Sequence, residues 1–99
     1  MFARVTTVQA PPDRIEESAR VAREQVLPAM QGRSGFKGMY YLVDRENGRG
    51  LGITLWETEE DLLATEEQAK KMRATLVERG ASGLPTARVY EVSFQSTED

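Results

Sequence analysis

A strand that runs into a helix with nothing between them is the feature that most restricts the fold of this chain. In Leu51-Gly52-Ile53-Thr54-Leu55-Trp56-Glu57, the apolar Leu51, Ile53 and Leu55 alternate with Gly52, Thr54 and Trp56, the period of two that a β-strand requires. Thr58 follows, with Asp61 three residues on and Leu62-Leu63 behind it, the capping-box-like opening of a helix. The single tryptophan, Trp56, stands at this junction. Any architecture for the chain must place strand end, tryptophan and helix start together.

The other elements follow from similar signals. Phe2 to Ala10 is a β-branched run ended by Pro11-Pro12, and reads as a first strand. Pro12 suits the first turn of a helix, and Asp13, Glu16 and Glu17 put negative charge at its positive end. Ile15, Ala19, Ala22, Val26 and Met30 form one apolar stripe, so the spacing predicts a helix over 12–30 with Glu16–Arg20 as an outer ion pair. Pro28 is expected to tighten or kink its last turn. Phe36 to Asp44 and Gly50 to Glu57 are a second and third strand joined by a hairpin at Asn47-Gly48, whose residues tolerate positive φ. The second helix is expected from Thr58 to about Arg79, with Leu62, Ala69, Met72 and Leu76 inward, outer pairs Glu66–Lys70 and Glu67–Lys71, and Gly80 as its C′ residue. Thr86 to Gln95 reads as a fourth strand, and 96–99 as a polar tail that frays.

The order is β-α-β-β-α-β, which predicts a single α+β domain over 1–99: a ferredoxin-like unit with helices on one face of a four-stranded antiparallel sheet. The other face should then alternate toward polar residues, and it does not. Met39, Tyr41 and Val43 oppose Phe36, Tyr40 and Leu42 in strand two, and Tyr90, Val92 and Phe94 oppose Ala87 and Val89 in strand four. Large apolar groups on both faces mark an interface, so a homodimer packed through its sheet faces is expected.

Composition closes off several chemistries. A net charge of -3 with scattered Lys and Arg argues against nucleic acid as a partner. With neither cysteine nor histidine, thiolate and Ser-His-Asp catalysis, His-ligated haem and ordinary zinc sites are excluded within the chain. No cofactor or metal is expected. The acidic groups Glu59-Glu60-Asp61 and Glu66-Glu67 are explained by a helix start and an outer face. Gly48, Gly50 and Gly52 alternate, but no phosphate-cradling turn follows them. The longest apolar run, Met39 to Val43, is far too short to span a bilayer, and no signal-like segment opens the chain. A soluble cytoplasmic protein without a membrane partner is expected.

Met1-Phe2-Ala3-Arg4-Val5 opening strand one, Gly35-Phe36-Lys37-Gly38 opening strand two, the hairpin Asp44-Arg45-Glu46-Asn47-Gly48 and the run from Thr54 to Asp61 together resemble the dimeric α/β-barrel superfamily, specifically its antibiotic-biosynthesis-monooxygenase-like domains. The resemblance covers nearly the whole chain. It implies a cleft between sheet and helices with the strand-three tryptophan, here Trp56, in its wall. The members it points to are cofactor-free monooxygenases of aromatic polyketide quinols, haem-degrading enzymes and many small domains of unknown activity. The haem-degrading members need a helix-two histidine and a strand-one asparagine. This chain has no histidine, and its one asparagine, Asn47, is in the hairpin. Quinol-oxidising members carry an asparagine shortly before the tryptophan, where this chain has Gly52.

The candidate cleft residues are Trp56, Arg4, Tyr40, Tyr41 and Tyr90. Trp56 is either a core plug or a ligand wall, and its indole N–H needs an acceptor in both cases. The tyrosines are strand packing or phenolic donors. Arg4, mid-strand beside Val5, must be paired if it points inward; it pairs with Glu57 or Glu91 or presents its guanidinium to a ligand oxygen. Arg88 has the same two readings. Two functional classes stay open: a cofactor-independent monooxygenase of small aromatic or quinol substrates, in which Trp56 and a tyrosine wall the ring and Arg4 stabilises charge, and a non-catalytic dimer that binds a small apolar ligand or serves as an accessory domain.

Overall fold

The computed structural model describes residues 1–97. Four strands, β1 (Phe2–Gln9), β2 (Phe36–Asp44), β3 (Arg49–Trp56) and β4 (Thr86–Glu91), form one antiparallel sheet in the order β2-β3-β1-β4. The helical segments are α1 (Ile15–Val21) and α2 (Leu27–Gln31) between β1 and β2, and α3 (Glu59–Leu63) and α4 (Glu66–Glu78) between β3 and β4. This is the expected α+β, ferredoxin-like arrangement. Alternation along the strands turns Phe2, Arg4 and Val8 of β1, and Gly50, Gly52, Thr54 and Trp56 of β3, toward the helices. Two buried clusters fill that space: Met30, Trp56, Leu62 and Ala69 at one end, and Val8, Val21 and Leu76 at the other. Among the described residues no helix is long and apolar enough to cross a membrane.

The first helical stretch departs from the even stripe predicted over 12–30. A 3-10 turn at Pro12–Arg14 leads into α1, and Ala22–Val26 is wound as a π-helix before α2 begins. The amide of Leu27 accordingly bonds back to the carbonyl of Ala22, five residues earlier. Pro28 explains the widening: it has no N–H for the carbonyl of Glu24, and its ring clashes with a carbonyl placed for an α turn. The turn before the proline therefore opens, rather than the last turn tightening. Ser18 is buried and the expected stripe member Ala19 only half-buried, while Val21 and Ala22 are buried side by side.

The second helix is broken at Ala64-Thr65 into α3 and α4. Its two ends match expectation. The Thr58 hydroxyl accepts the amide of Asp61 at 3.1 Å. At the far end Gly80 has φ of 108°, with the bonds Gly80 N–H to Val77 O and Ala81 N–H to Leu76 O of a Schellman motif. In the hairpin, Gly48 alone takes a positive φ, at 67°, and no non-glycine residue in the described chain does. The loop is residues 45–48, one shorter than the expected Arg45 to Arg49 because Arg49 already belongs to β3, and Asn47 bonds the Asp44 carboxylate through both its amide and its side chain.

Other expectations are corrected by the packing. A bulge in β2 between Phe36 and Gly38 places Phe36 opposite Trp56 and turns it to the helix face, the side of Met39 and Tyr41, not of Tyr40 and Leu42. Its ring meets the indole edge-on, centroids 5.4 Å apart. β4 ends at Glu91, short of Gln95, although Val92 still donates to Met1 O. Glu16 pairs with Arg45 rather than Arg20, and Glu17 takes both Arg20 and Arg79. Of the expected fraying tail, Ser96 and Thr97 are exposed and outside regular structure, and Glu98 and Asp99 lie outside the described residues.

Candidate functional site

A cavity of about 50 Å³ lies between the sheet and the helices. Its sheet wall is made by Arg4, Thr6, Tyr41, Gly52 and Thr54, and its helix wall includes Ser18, Ala22 and Leu76. Three of the chain's four methionines, Met30, Met39 and Met72, also line it. The remaining polar wall is Arg73 from α4.

Tyr41 lies flat across β3, and the glycines there make room for it. A Cβ on Gly50 would stand 2.3 Å from the Tyr41 hydroxyl, and one on Gly52 would stand 3.4 Å from the ring. The alternating glycines thus have a packing cause. The phenol donates to Ser18 Oγ at 2.8 Å, and Ser18 in turn donates to Ile15 O at 2.6 Å. Burial pushes the Tyr41 hydroxyl above its ordinary range, with the Ser18 bond opposing in part, so it stays a neutral phenol near pH 7.

Arg4 is 3% exposed. Its terminal nitrogens donate to Leu62 O at 3.0 Å and Thr65 Oγ1 at 3.1 Å, and reach Glu66 at 3.2 Å. Neither Glu57, which pairs with Lys37, nor Glu91 is its partner. Arg73, i+7 from Glu66 on the same helix face, holds the other Glu66 oxygen. Among the described residues, Nε of Arg4 and one terminal nitrogen of Arg73 are buried without a hydrogen-bond partner. Burial lowers the Arg4 pKa and neighbouring Arg73 adds to this, against the attraction of Glu66; the group remains a cation at any ordinary pH. For Glu66, burial pushes the pKa up but is outweighed by the hydrogen bond and charge of Arg73 and then by Arg4, so its carboxyl titrates below the usual range.

The five sequence candidates separate into three places. Arg4 and Tyr41 border the cavity. Trp56 is completely buried in the core with Met30 and Ala69, which do border it, and its indole N–H donates to Thr54 Oγ1 at 2.9 Å. Strand alternation puts Tyr40 and Tyr90 on the opposite sheet face, 56% and 51% exposed, away from the cavity. Arg88 pairs with Val5 in the ladder and is exposed on that same face. Sequence reasoning did not pick out Ser18, Thr54, Thr65, Glu66 or Arg73. The available signals were the i,i+3 step from Ile15 to Ser18 and the seven-residue step from Glu66 to Arg73. Among the described residues, no group of three carboxylates could hold a metal.

No protein-family model matches the chain. The uncharacterized protein Rv2557 of Mycobacterium tuberculosis is 36% identical over 93 residues, 94% of this chain and 41% of the relative. The uncharacterized protein Rv2558 of the same organism is 36% identical over 73 residues, 74% of this chain and 31% of the relative. The chain therefore spans well under half the length of these curated relatives. Among solved structures, the Streptomyces coelicolor monooxygenase from the gene ActVA-Orf6, in complex with nanaomycin D, superposes with a TM-score of 0.79 at 17% identity, covering 99% of this chain and 92% of that one. A Deinococcus radiodurans protein provisionally described as an antibiotic biosynthesis monooxygenase gives 0.77 at 12% identity, covering 100% and 99%. The chain has the antibiotic-biosynthesis-monooxygenase-like fold.

Two outcomes test the site's internal contacts. Gly50→Ala is expected to cost about 1–3 kcal/mol by forcing Tyr41 off Ser18. In a Tyr41→Leu background the same change should cost less than about 0.5 kcal/mol, and equal costs in urea denaturation would refute the close approach. Glu66 has its folded pKa below the ordinary 4.5, so its contribution is present above that pH and is lost as pH falls through the folded value. Glu66→Gln should therefore lose less stability than wild type between about pH 6 and about pH 3, read by chemical denaturation at both.

Proposed function

We propose that this domain binds a small aromatic molecule in the space between its sheet and helices. The observation that carries this is the internal cavity, apolar along most of its wall and ending at the buried Arg4 and the half-buried Arg73. At about 50 Å³ it is well below the roughly 300 Å³ at which small-molecule sites begin, so a ligand must displace side chains to enter. Met30, Met39 and Met72 suit that, since an unbranched thioether repacks at little cost and makes favourable contacts with aromatic rings. Trp56 then acts from behind the wall, by holding Thr54 through its indole N–H.

The fold likeness to a monooxygenase solved with nanaomycin D favours a second reading, cofactor-independent oxygenation of a quinol or anthrone. In that reaction the ionised substrate passes an electron to dioxygen, the two radicals combine to a hydroperoxide, and loss of water leaves the oxidised carbonyl product. The domain would contribute a dry aromatic-compatible site and a cation near the substrate oxygen. Calorimetric titration with 1,4-dihydroxynaphthalene under nitrogen should give a saturable site that is lost in Met72→Trp, whose indole fills the cavity. No heat with any member of a quinol and anthrone panel would sink the binding reading. Oxygen uptake above the autoxidation rate, abolished by the same substitution, would support oxygenation; its absence on every substrate would remove that reading alone.

We also propose a homodimer through the open sheet face, where Tyr40, Leu42 and Tyr90 are exposed beside Leu51, Ile53 and Val5. Sedimentation at micromolar concentration should give twice the chain mass for wild type and a monomer for Leu42→Asp. A monomeric wild type would overturn this.

A further inference from the structure

A second space lies on the far side of the arginines, a groove of about 430 Å³ between the α3–α4 corner and the edge strand β4. Its sides are apolar and open to solvent: Leu84 is 70% exposed, Leu63 54% and Val89 41%. Its charged lining is Arg4 and Arg73, both paired with the single carboxylate of Glu66, and the exposed Lys70. Arg4 and Arg73 border both the groove and the inner cavity, whereas Glu66 borders only the groove. The two arginines that share the one carboxylate leave an excess of positive charge along the lining of an apolar trough.

The hydrogen bonds are also incomplete. Glu66 uses one terminal nitrogen of each arginine, and Nε of Arg4 and the other terminal nitrogen of Arg73 have no partner among the described residues although both are buried. Buried guanidinium donors without acceptors are costly, and the anion a guanidinium pairs with most strongly is a planar carboxylate. Glu66 is placed to give way. Its side chain is 42% exposed, against 4% for Arg4 and 12% for Arg73. It lies in the first turn of α4, where its charge stays favourable with the helix even when turned to solvent.

We propose that this groove is a binding site for an apolar-bodied monocarboxylate. The ligand carboxylate binds Arg4 and Arg73 in place of Glu66, whose own carboxylate occupies the site when it is empty, and the ligand body lies along Leu63, Leu84 and Val89. The site shares its arginine wall with the inner cavity but does not require that cavity to be filled.

Calorimetric titration with 1-naphthoate, and with 1-naphthamide as the uncharged control, separates the possibilities. Glu66→Gln is expected to tighten naphthoate binding tenfold or more, and Arg73→Gln to weaken it tenfold or more, with naphthamide affected by neither. Binding should persist in Met72→Trp, because the groove lies outside the filled cavity; loss there would move the carboxylate into the cavity and overturn the groove as its site. The proposal is also overturned if wild type and Glu66→Gln both fail to bind naphthoate, or bind it equally. Equal affinity for inorganic phosphate, or a changed sedimentation mass for Leu84→Ser, would overturn it too, the first by removing any role for the apolar sides and the second by assigning them to a protein interface.

Discussion

The guanidinium of Arg4 leaves the middle of β1 and takes the carbonyl of Leu62, 58 residues away in sequence, together with the hydroxyl of Thr65. That carbonyl also accepts the amide and the hydroxyl of Thr65, at 3.0 and 2.7 Å. A carbonyl so occupied does not continue an α-helix, and α3 stops there. The break lets α4 restart at Glu66 and brings Glu66 and Arg73 around to face Arg4. One buried charge thus ties the sheet to the helix layer, divides the helix and assembles the arginine wall. The arrangement is self-consistent because a buried cation must find acceptors, and a broken helix end is a place where backbone acceptors are free.

At the other end of the cavity the controlling contact is the Tyr41 ring over Gly50 and Gly52. Side chains on those two residues would fill the space between β3 and α1, so the ring and its bond to Ser18 depend on their absence. The π-helical turn ahead of Pro28 contributes Ala22 and Val26 to the wall of the same space. The cavity is therefore bounded by one rigid hydrogen-bonded aromatic, one ion cluster and three flexible thioethers. The thioethers can move without breaking a polar contact, and they are the most flexible of the apolar side chains in the wall.

What the sequence discloses is what local chemistry decides. The β3–α3 junction, the Thr58 cap, the Gly80 C′ position and the element order all rest on residues within a few positions of one another, and each appears as read. The failures are non-local. Neither residue at Ala64-Thr65 is glycine or proline, and the break rests on the Thr65 hydroxyl together with an arginine on β1, both bonded to the Leu62 carbonyl. The bulge that turns Phe36 toward Trp56 is invisible to a strict period of two, which placed Phe36 with Tyr40. Pro28 was visible, but its effect falls on the turn before it rather than the turn it occupies. In the site, Arg4 was legible as an inward charge needing a partner. Glu66 was assigned to Lys70 because i,i+4 spacing is the nearest option on a helix surface, yet a buried guanidinium attracts a carboxylate more strongly than an exposed ammonium does.

The same charges limit what chemistry the domain can support. Among the described residues that line the inner cavity there is no carboxylate, and the chain has no imidazole. Tyr41 is held neutral by burial, and Glu66 is held ionised at the groove by two arginines whose charge makes it a poor proton acceptor. In the proposed reading the two arginines stabilise a negative oxygen that a ligand already carries. The proposed occupancy by a preformed anion thus rests on the same burial of Arg4 that ties the sheet to the helices.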